Sequence, residues 1–265
     1  ACHPVLSPEA RIALTLKVVA GLTSVEIARM FLVPVATVQQ RIVRAKKTLA
    51  AARIPFDVPD PSEWEPRLGT VLHVVYLIFT EGYAPTSGEL ALRREVALEG
   101  LRLGRVLAGL LPAEAEVWGL LALMELQAAR FPARVARDGS PVLLADQNRS
   151  RWDRAQIRLG LAALERADAR GARGRGPYAL QAAIAACHAI APSVEDTDWD
   201  EIVGLYEALE SIRPNPVVAL NRAIALAMAA GPAEALVVVE EVAATGALDG
   251  SHLVPSVRGE LLARL

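Results

Sequence analysis

Apolar residues in the stretch VPVATVQQRIVRAKKTL fall at Val35, Val38, Ile42, Ala45 and Leu49, a recurrence that places them on one side of a helix. Thr37, Gln40, Arg41, Arg44, Lys47 and Thr48 repeat with the same period on the other side. Two helices are predicted before this one. In SPEARIALTLKVVAG, Ser7 is suited to cap, Pro8 to occupy the first helical position, Glu9 to lie in the first turn and Gly21 to end the helix. In TSVEIARMF, Thr23 and Glu26 form a capping box, each side chain answering a backbone amide of the other. Phe31 to Pro34 is then a tight connection. Short helix, short turn and longer basic helix is helix-turn-helix order, in which the last helix enters the major groove.

Beyond residue 53 the pattern changes twice. Pro55, Pro59, Pro61 and Pro66 oppose helix and predict a stiff linker over 54–66. Helical periodicity returns near 67–81, 88–111, 113–131, 150–169, 177–191, 198–211, 215–230 and 232–245. Trp199 lies seven residues before Tyr206, and small residues at Ala223, Ala227 and Ala235 surround Gly231. Large residues beside small ones between paired helices are features of helical repeats, though the period here is irregular. The exception is RVARDGSPVLL, where Asp138-Gly139 between two short alternating runs predicts a small β-hairpin. The expected fold is all-α: a three- to four-helix domain over 1–53, a linker over 54–66, and a helical array with one hairpin over 67–265.

Composition supports a folded helical protein, with 53% hydrophobic residues, mostly Ala and Leu, and only 5% aromatic. The longest strongly apolar run, Val71 to Phe79, is interrupted by His73 and falls far short of the roughly 20 residues that span a membrane. No secretory signal is legible in ACHPVLSPEAR, so no membrane association is expected. Two cysteines, Cys2 and Cys187, cannot build a disulfide framework, which fits a cytoplasmic location. Charge sharpens the division. Residues 1–53 hold eight basic side chains against two acidic, and the rest hold twenty against twenty-eight. A basic segment joined to an acidic remainder fits a DNA-binding module attached to a regulatory one.

Little else points to chemistry. His3, His73, His188 and His252 are scattered and give no metal-ligand spacing, so neither a metal nor a cofactor is expected. GARGRGP at 171–177 lacks the Lys-Ser/Thr of a phosphate loop, and a helix cap explains DTDWD at 196–200 as well as a metal does. No nucleophile–base pair is recognisable, so no enzyme is expected. DQNRSRWDR is dense in charge. Asp146, Arg149, Arg151, Trp152 and Asp153 form a candidate interdomain or partner site; the plainer reading is a helix start capped by Asn148 or Ser150.

The segment LSPEARIALTLKVVAGLTSVEIARMFLVPVATVQQRIVRAKKTL resembles domain 4 of bacterial extracytoplasmic-function sigma factors. The markers are the LT…EIA second helix, the VP-x-x-TV entry to the third helix and its R-x-x-R-A-K continuation. Leu32 and Ala36 stand where that family commonly has Gly. Later stretches, among them LLALMELQAAR, DQNRSRWDR and PNPVVALNRAIALA, look like the long tetratricopeptide-like extension of one subgroup, thought to be controlled through that extension and not by a membrane anti-sigma factor. The resemblance implies a sigma factor fragment that lacks the upstream domain 2 and recognises the −35 promoter element. It puts Thr37, Gln39, Gln40, Arg41, Val43 and Arg44 at base or backbone contacts and Lys46 and Lys47 at phosphates. It also implies docking on the beta flap of core RNA polymerase, with Met30, Phe31 and Leu32 as a candidate contact. A regulatory protein or a small ligand would bind the array. Two alternatives stay open on the residues themselves: a ligand-responsive helix-turn-helix regulator, and an interaction scaffold that binds no DNA.

Overall fold

A computed structural model of the chain describes residues 3, 5–19, 21–31, 33–53, 60, 64–83 and 94–265. Among them, all regular structure is helical, in the order α1 (Pro8–Val18), α2 (Ser24–Met30), α3 (Val35–Ala51), α4 (Glu65–Tyr83), α5 (Arg94–Leu110), α6 (Ala115–Ala128), α7 (Arg154–Asp168), α8 (Pro177–Ile190), α9 (Trp199–Ile212), α10 (Pro216–Ala229), α11 (Pro232–Ala244) and α12 (Leu253–Leu262). The chain divides into two compact units, residues 1–110 with 135–142, and residues 111–134 with 143–265.

The first unit is built from the caps legible in its sequence. Ser7 Oγ accepts from Ala10 N at 3.3 Å. Gly21 stands at φ +68°, a left-handed conformation that residues with a Cβ disfavour, and Leu22 N–H donates back to the Leu16 carbonyl. The Thr23–Glu26 box is reciprocal: Glu26 N donates to Thr23 Oγ1 at 3.2 Å, and Thr23 N to Glu26 Oε2 at 2.6 Å. These helices enclose a core of Ile12, Leu16, Leu22, Ile27, Val38, Ile42 and Ala45.

That core does not end at residue 53. Val74 and Ile78 of α4 are buried in it, Val96 and Leu103 of α5 pack against it, and Arg11 Nη1 donates to Thr70 Oγ1 at 3.2 Å. The division expected between 1–53 and 67–265 therefore cuts through one apolar cluster. Periodicity shows that α4 has a buried side, but not which partner it buries against. Of the expected linker, 54–59 and 61–63 lie outside the described residues, as do 88–93 of the expected fifth helix. The linker's last two residues, Glu65 and Pro66, are corrected to the start of α4, where a proline has no intrahelical amide bond to lose.

The second unit is a succession of neighbouring helices. α6 packs on α7 and α8, α8 on α9, α9 on α10, and α10 on α11 and α12. Small residues set the approach: a Cβ at Gly119 of α6 would fall 2.7 Å from Ala179 N of α8. Ala223, Ala227 and Ala235 are buried with Leu220, Val239 and Leu261 where the last three helices meet. α12 has no counterpart among the expected helices, because Pro255 and Gly259 interrupt its pattern. Pro255 falls in its first turn, where the amide has no intrahelical partner to lose.

The expected β-hairpin is corrected to a turn with one antiparallel bridge, Val135 to Pro141. Asp138 Oδ1 accepts from Ser140 N at 2.9 Å, Ala136 N donates to Ser140 O, and Gly139 has φ +86°. Pro141 has no amide to donate, so the ladder does not extend.

Candidate nucleic-acid interface

The site is α3. Val38, Ile42 and Ala45 are buried, and Val35 and Leu49 pack half-buried on the same core. Fixing that stripe fixes what the opposite side presents. At 100° per residue, Ala36, Gln40, Val43, Arg44 and Lys47 lie diametrically opposite it, and all five are exposed. Gln39 and Lys46 are exposed on one flank, while Thr37 and Arg41 are half-buried on the other.

The flanks therefore differ in role. Arg41 faces α1: the Glu9 carboxyl is held below its ordinary pKa first by its own backbone amide and by Ser7, with the Arg41 charge contributing further. Arg44 is exposed to solvent. Val43 is 51% exposed, an apolar side chain in the middle of the polar face. Gln, Val and Arg together match the major groove's vocabulary: bidentate pairing with adenine or guanine, and apolar contact with a thymine methyl. Lys46, exposed on the flank, and Lys47, exposed within the polar face, are of the residue type that pairs with phosphates.

The three residues expected to meet the polymerase fare differently. Phe31 is half-buried and packs against the core of the first unit. Met30 closes α2, and Leu32 lies outside the described residues.

The charged stretch of the second unit is largely built into the fold. Arg149 is buried and spans two segments, with Nη1 donating to His188 O at 2.9 Å and Ala191 O at 2.7 Å and Nη2 donating to Thr197 Oγ1 at 3.2 Å. It thus answers the last carbonyls of α8, where a cation also complements the helix dipole. Trp152 is buried beneath the guanidinium groups of Arg149 and Arg130, 5.1 and 5.6 Å from its ring centroid. Asp153 caps α7, accepting from Ala155 N and Gln156 N, and Asn148 caps the 3-10 turn before it. Asp146 and Arg151 are exposed.

Sequence reasoning passed over Glu116. Its carboxylate accepts from Tyr178 N at 2.8 Å and Ala179 N at 3.1 Å, capping α8 from another helix. Only the lack of a Ser, Thr, Asn or Asp before Pro177 hinted that the cap came from elsewhere. Among the described residues, no helix is long and apolar enough to cross a membrane.

Residues 1–49 match the family described as Sigma-70, region 4, and residues 67–168 match a family of unknown function. The chain is 45% identical over 263 residues to an uncharacterised protein of Rhizobium meliloti (strain 1021), covering 99% of this chain and 61% of that one. The chain thus spans less than two thirds of its relative's length. No solved structure matches it. The region 4 match supports a relation to sigma-70 factors.

Proposed function

We propose that this chain is the −35-reading part of an extracytoplasmic-function sigma factor, acting in the cytoplasm, with a tetratricopeptide-like extension that regulates or supports initiation. The observation that carries the reading is the exposed Gln40–Val43–Arg44–Lys47 face of α3, set opposite a buried stripe within the segment that matches region 4. Gln40 and Arg44 read bases, Val43 meets a thymine methyl, and Lys46 and Lys47 hold phosphates. Binding through one such module is weak, and docking on the beta flap of core RNA polymerase supplies the rest. The role is not enzymatic.

The test is binding of a duplex carrying the −35 element to the chain with core polymerase, for Gln40→Ala with Arg44→Ala against the unaltered protein. Removing two base-reading side chains, at roughly 1–3 kcal/mol each, predicts a fall of tenfold or more, with the preference for that sequence erased. Unchanged affinity and preference would exclude α3 as the reading helix and favour the scaffold. Binding that follows a small ligand, without need of polymerase, would favour the ligand-responsive regulator.

A further inference from the structure

Positive charge is concentrated a second time in the sequence, within the second unit. Within the second unit, residues 146–175 hold eight arginines against four carboxylates, whereas residues 176–265 hold four arginines against twelve carboxylates. Two of the four carboxylates are committed. Asp153 caps α7, and Asp168 pairs with Arg175 through two hydrogen bonds of 2.8 and 2.9 Å. Asp146 precedes α7, and Glu165 is exposed on the helix, as is the paired Asp168.

The arginines are ordered in space. Arg154, Arg158, Ala162, Arg166 and Arg170 follow at intervals of four, which makes a row along α7 and just past its end. At 1.5 Å per residue, Arg154 to Arg166 covers about 18 Å. All four arginines are exposed, and among the described residues none is in an ion pair. Two of them are also held in place. The guanidinium carbons of Arg166 and Arg170 lie 4.8 and 5.6 Å from the centroid of the Trp118 ring. Arg170 Nε donates to Pro112 O at 2.5 Å, its Nη1 donates to Arg166 O at 2.9 Å, and Trp118 Nε1 donates to the same Pro112 O. Two like charges are thus stacked on one ring with no counter-anion among the described residues. The two cations repel each other although the ring attracts both, and an anion bridging them would relieve that repulsion.

We propose that the arginine row of α7 is a second, sequence-independent contact for the phosphates of duplex DNA. Several features select that partner. The row is linear and almost free of acid, as neutralising a phosphate backbone requires. Two guanidinium groups already lie 4.8 and 5.6 Å from the Trp118 ring centroid and compete for the stacking that unpaired bases of a single strand demand. Leu159 is its one large apolar neighbour, too little for an amphipathic membrane face. The inference rests on the reading of the chain as a DNA-binding protein, and it is tested apart from that reading.

The experiment titrates the full chain against a random-sequence duplex over a range of salt concentrations. Arg154→Gln with Arg158→Gln is one variant, remote from Trp118 and without packing to lose. Arg166→Gln with Arg170→Gln is the second, and circular dichroism and melting establish that both remain folded. Each pair is expected to weaken binding several-fold at low salt. Each also lowers the slope of log affinity against log salt by roughly 1.8, at about 0.9 for every phosphate no longer neutralised. The weakening should be the same for random and −35-containing duplexes. An unchanged slope in the folded first variant overturns the proposal. So does a weakening seen only with single-stranded RNA or with phosphatidylserine vesicles. Gln40→Ala with Arg44→Ala, run in parallel, reads the other claim: it changes sequence preference and leaves the α7 share of the slope in place.

Discussion

The carboxylate of Glu116 occupies the space that a side chain on Gly176 would fill. A Cβ at Gly176 would lie 2.5 Å from Glu116 Cδ and 2.7 Å from Oε1. Burial pushes the Glu116 pKa up, and the amides of Tyr178 and Ala179 that it caps pull it partly back. Gly176 has an ordinary φ of −82°, so Gly176→Ala strains no backbone and acts only by evicting the carboxylate. The expected cost is about 1–2 kcal/mol, the worth of a helix cap, read as a lower urea midpoint. In a Glu116→Ala background the same substitution should cost almost nothing, because the conflict is gone. Equal costs in the two backgrounds would refute the steric account.

Arg149 joins segments about forty residues apart in sequence. Arg149→Ala leaves the carbonyls of His188 and Ala191 and the hydroxyl of Thr197 without their donor. A loss of about 2–4 kcal/mol is expected in chemical denaturation. Arg149→Lys keeps the charge but cannot span three acceptors, and should recover only part of it. Full recovery by lysine would reduce the residue to a helix-dipole charge.

His188 makes stability depend on pH. Its imidazole stands edge-on to Trp199, ring centroids 5.3 Å apart. Burial first, and then the charges of Arg130 and Arg149, lower its pKa from 6.5 to about 4. The folded state therefore disfavours the protonated ring. Its contribution is whole above the unfolded value of 6.5 and drains as pH falls towards about 4, by up to about 3 kcal/mol. His188→Phe keeps a ring against Trp199 and removes the titration. Denaturation midpoints at about pH 7 and about pH 4.5 should separate more for the unaltered protein than for the variant. Parallel losses would assign the pH dependence to other groups.

What the sequence made legible follows from range. Ser7 with Ala10 and Thr23 with Glu26 are three residues apart, and capping chemistry plus helical period located α1 to α3 and their buried stripe. Contacts of long separation carried no such signal. Nothing in the pattern of α4 announced that Ile78 would be buried with Ile12, or that Glu116 would cap a helix starting at Pro177. Breakers misled in a third way, since Pro255 concealed α12 by looking like an interruption when it sits in a first turn.

The shared core makes a prediction for the helix-turn-helix itself. Ile78 is 1% exposed, and Ile78→Ala should cost about 2–4 kcal/mol. Hydrogen exchange should accelerate in α1 as well as α4, although the substitution lies outside residues 1–53. Loosening confined to α4 and α5 would restore the boundary at the linker.

Neighbouring positions on α3 should separate folding from recognition. Ile42 is 7% exposed in the core and Val43 is 51% exposed beside it. Ile42→Ala removes buried methyl groups, so the melting temperature should fall, with a cost of about 2–4 kcal/mol. Any loss of DNA binding should then be recovered at low temperature, where the variant remains folded. Val43→Ala removes apolar surface from solvent and should change stability by less than about 0.5 kcal/mol. If Val43 meets a thymine methyl, that variant should instead lose preference for thymine at one position of the duplex and keep its affinity for others. A Val43→Ala protein with unaltered preference at every position would remove Val43 from the interface and leave Gln40 and Arg44 as the only base-reading candidates at the centre of the face.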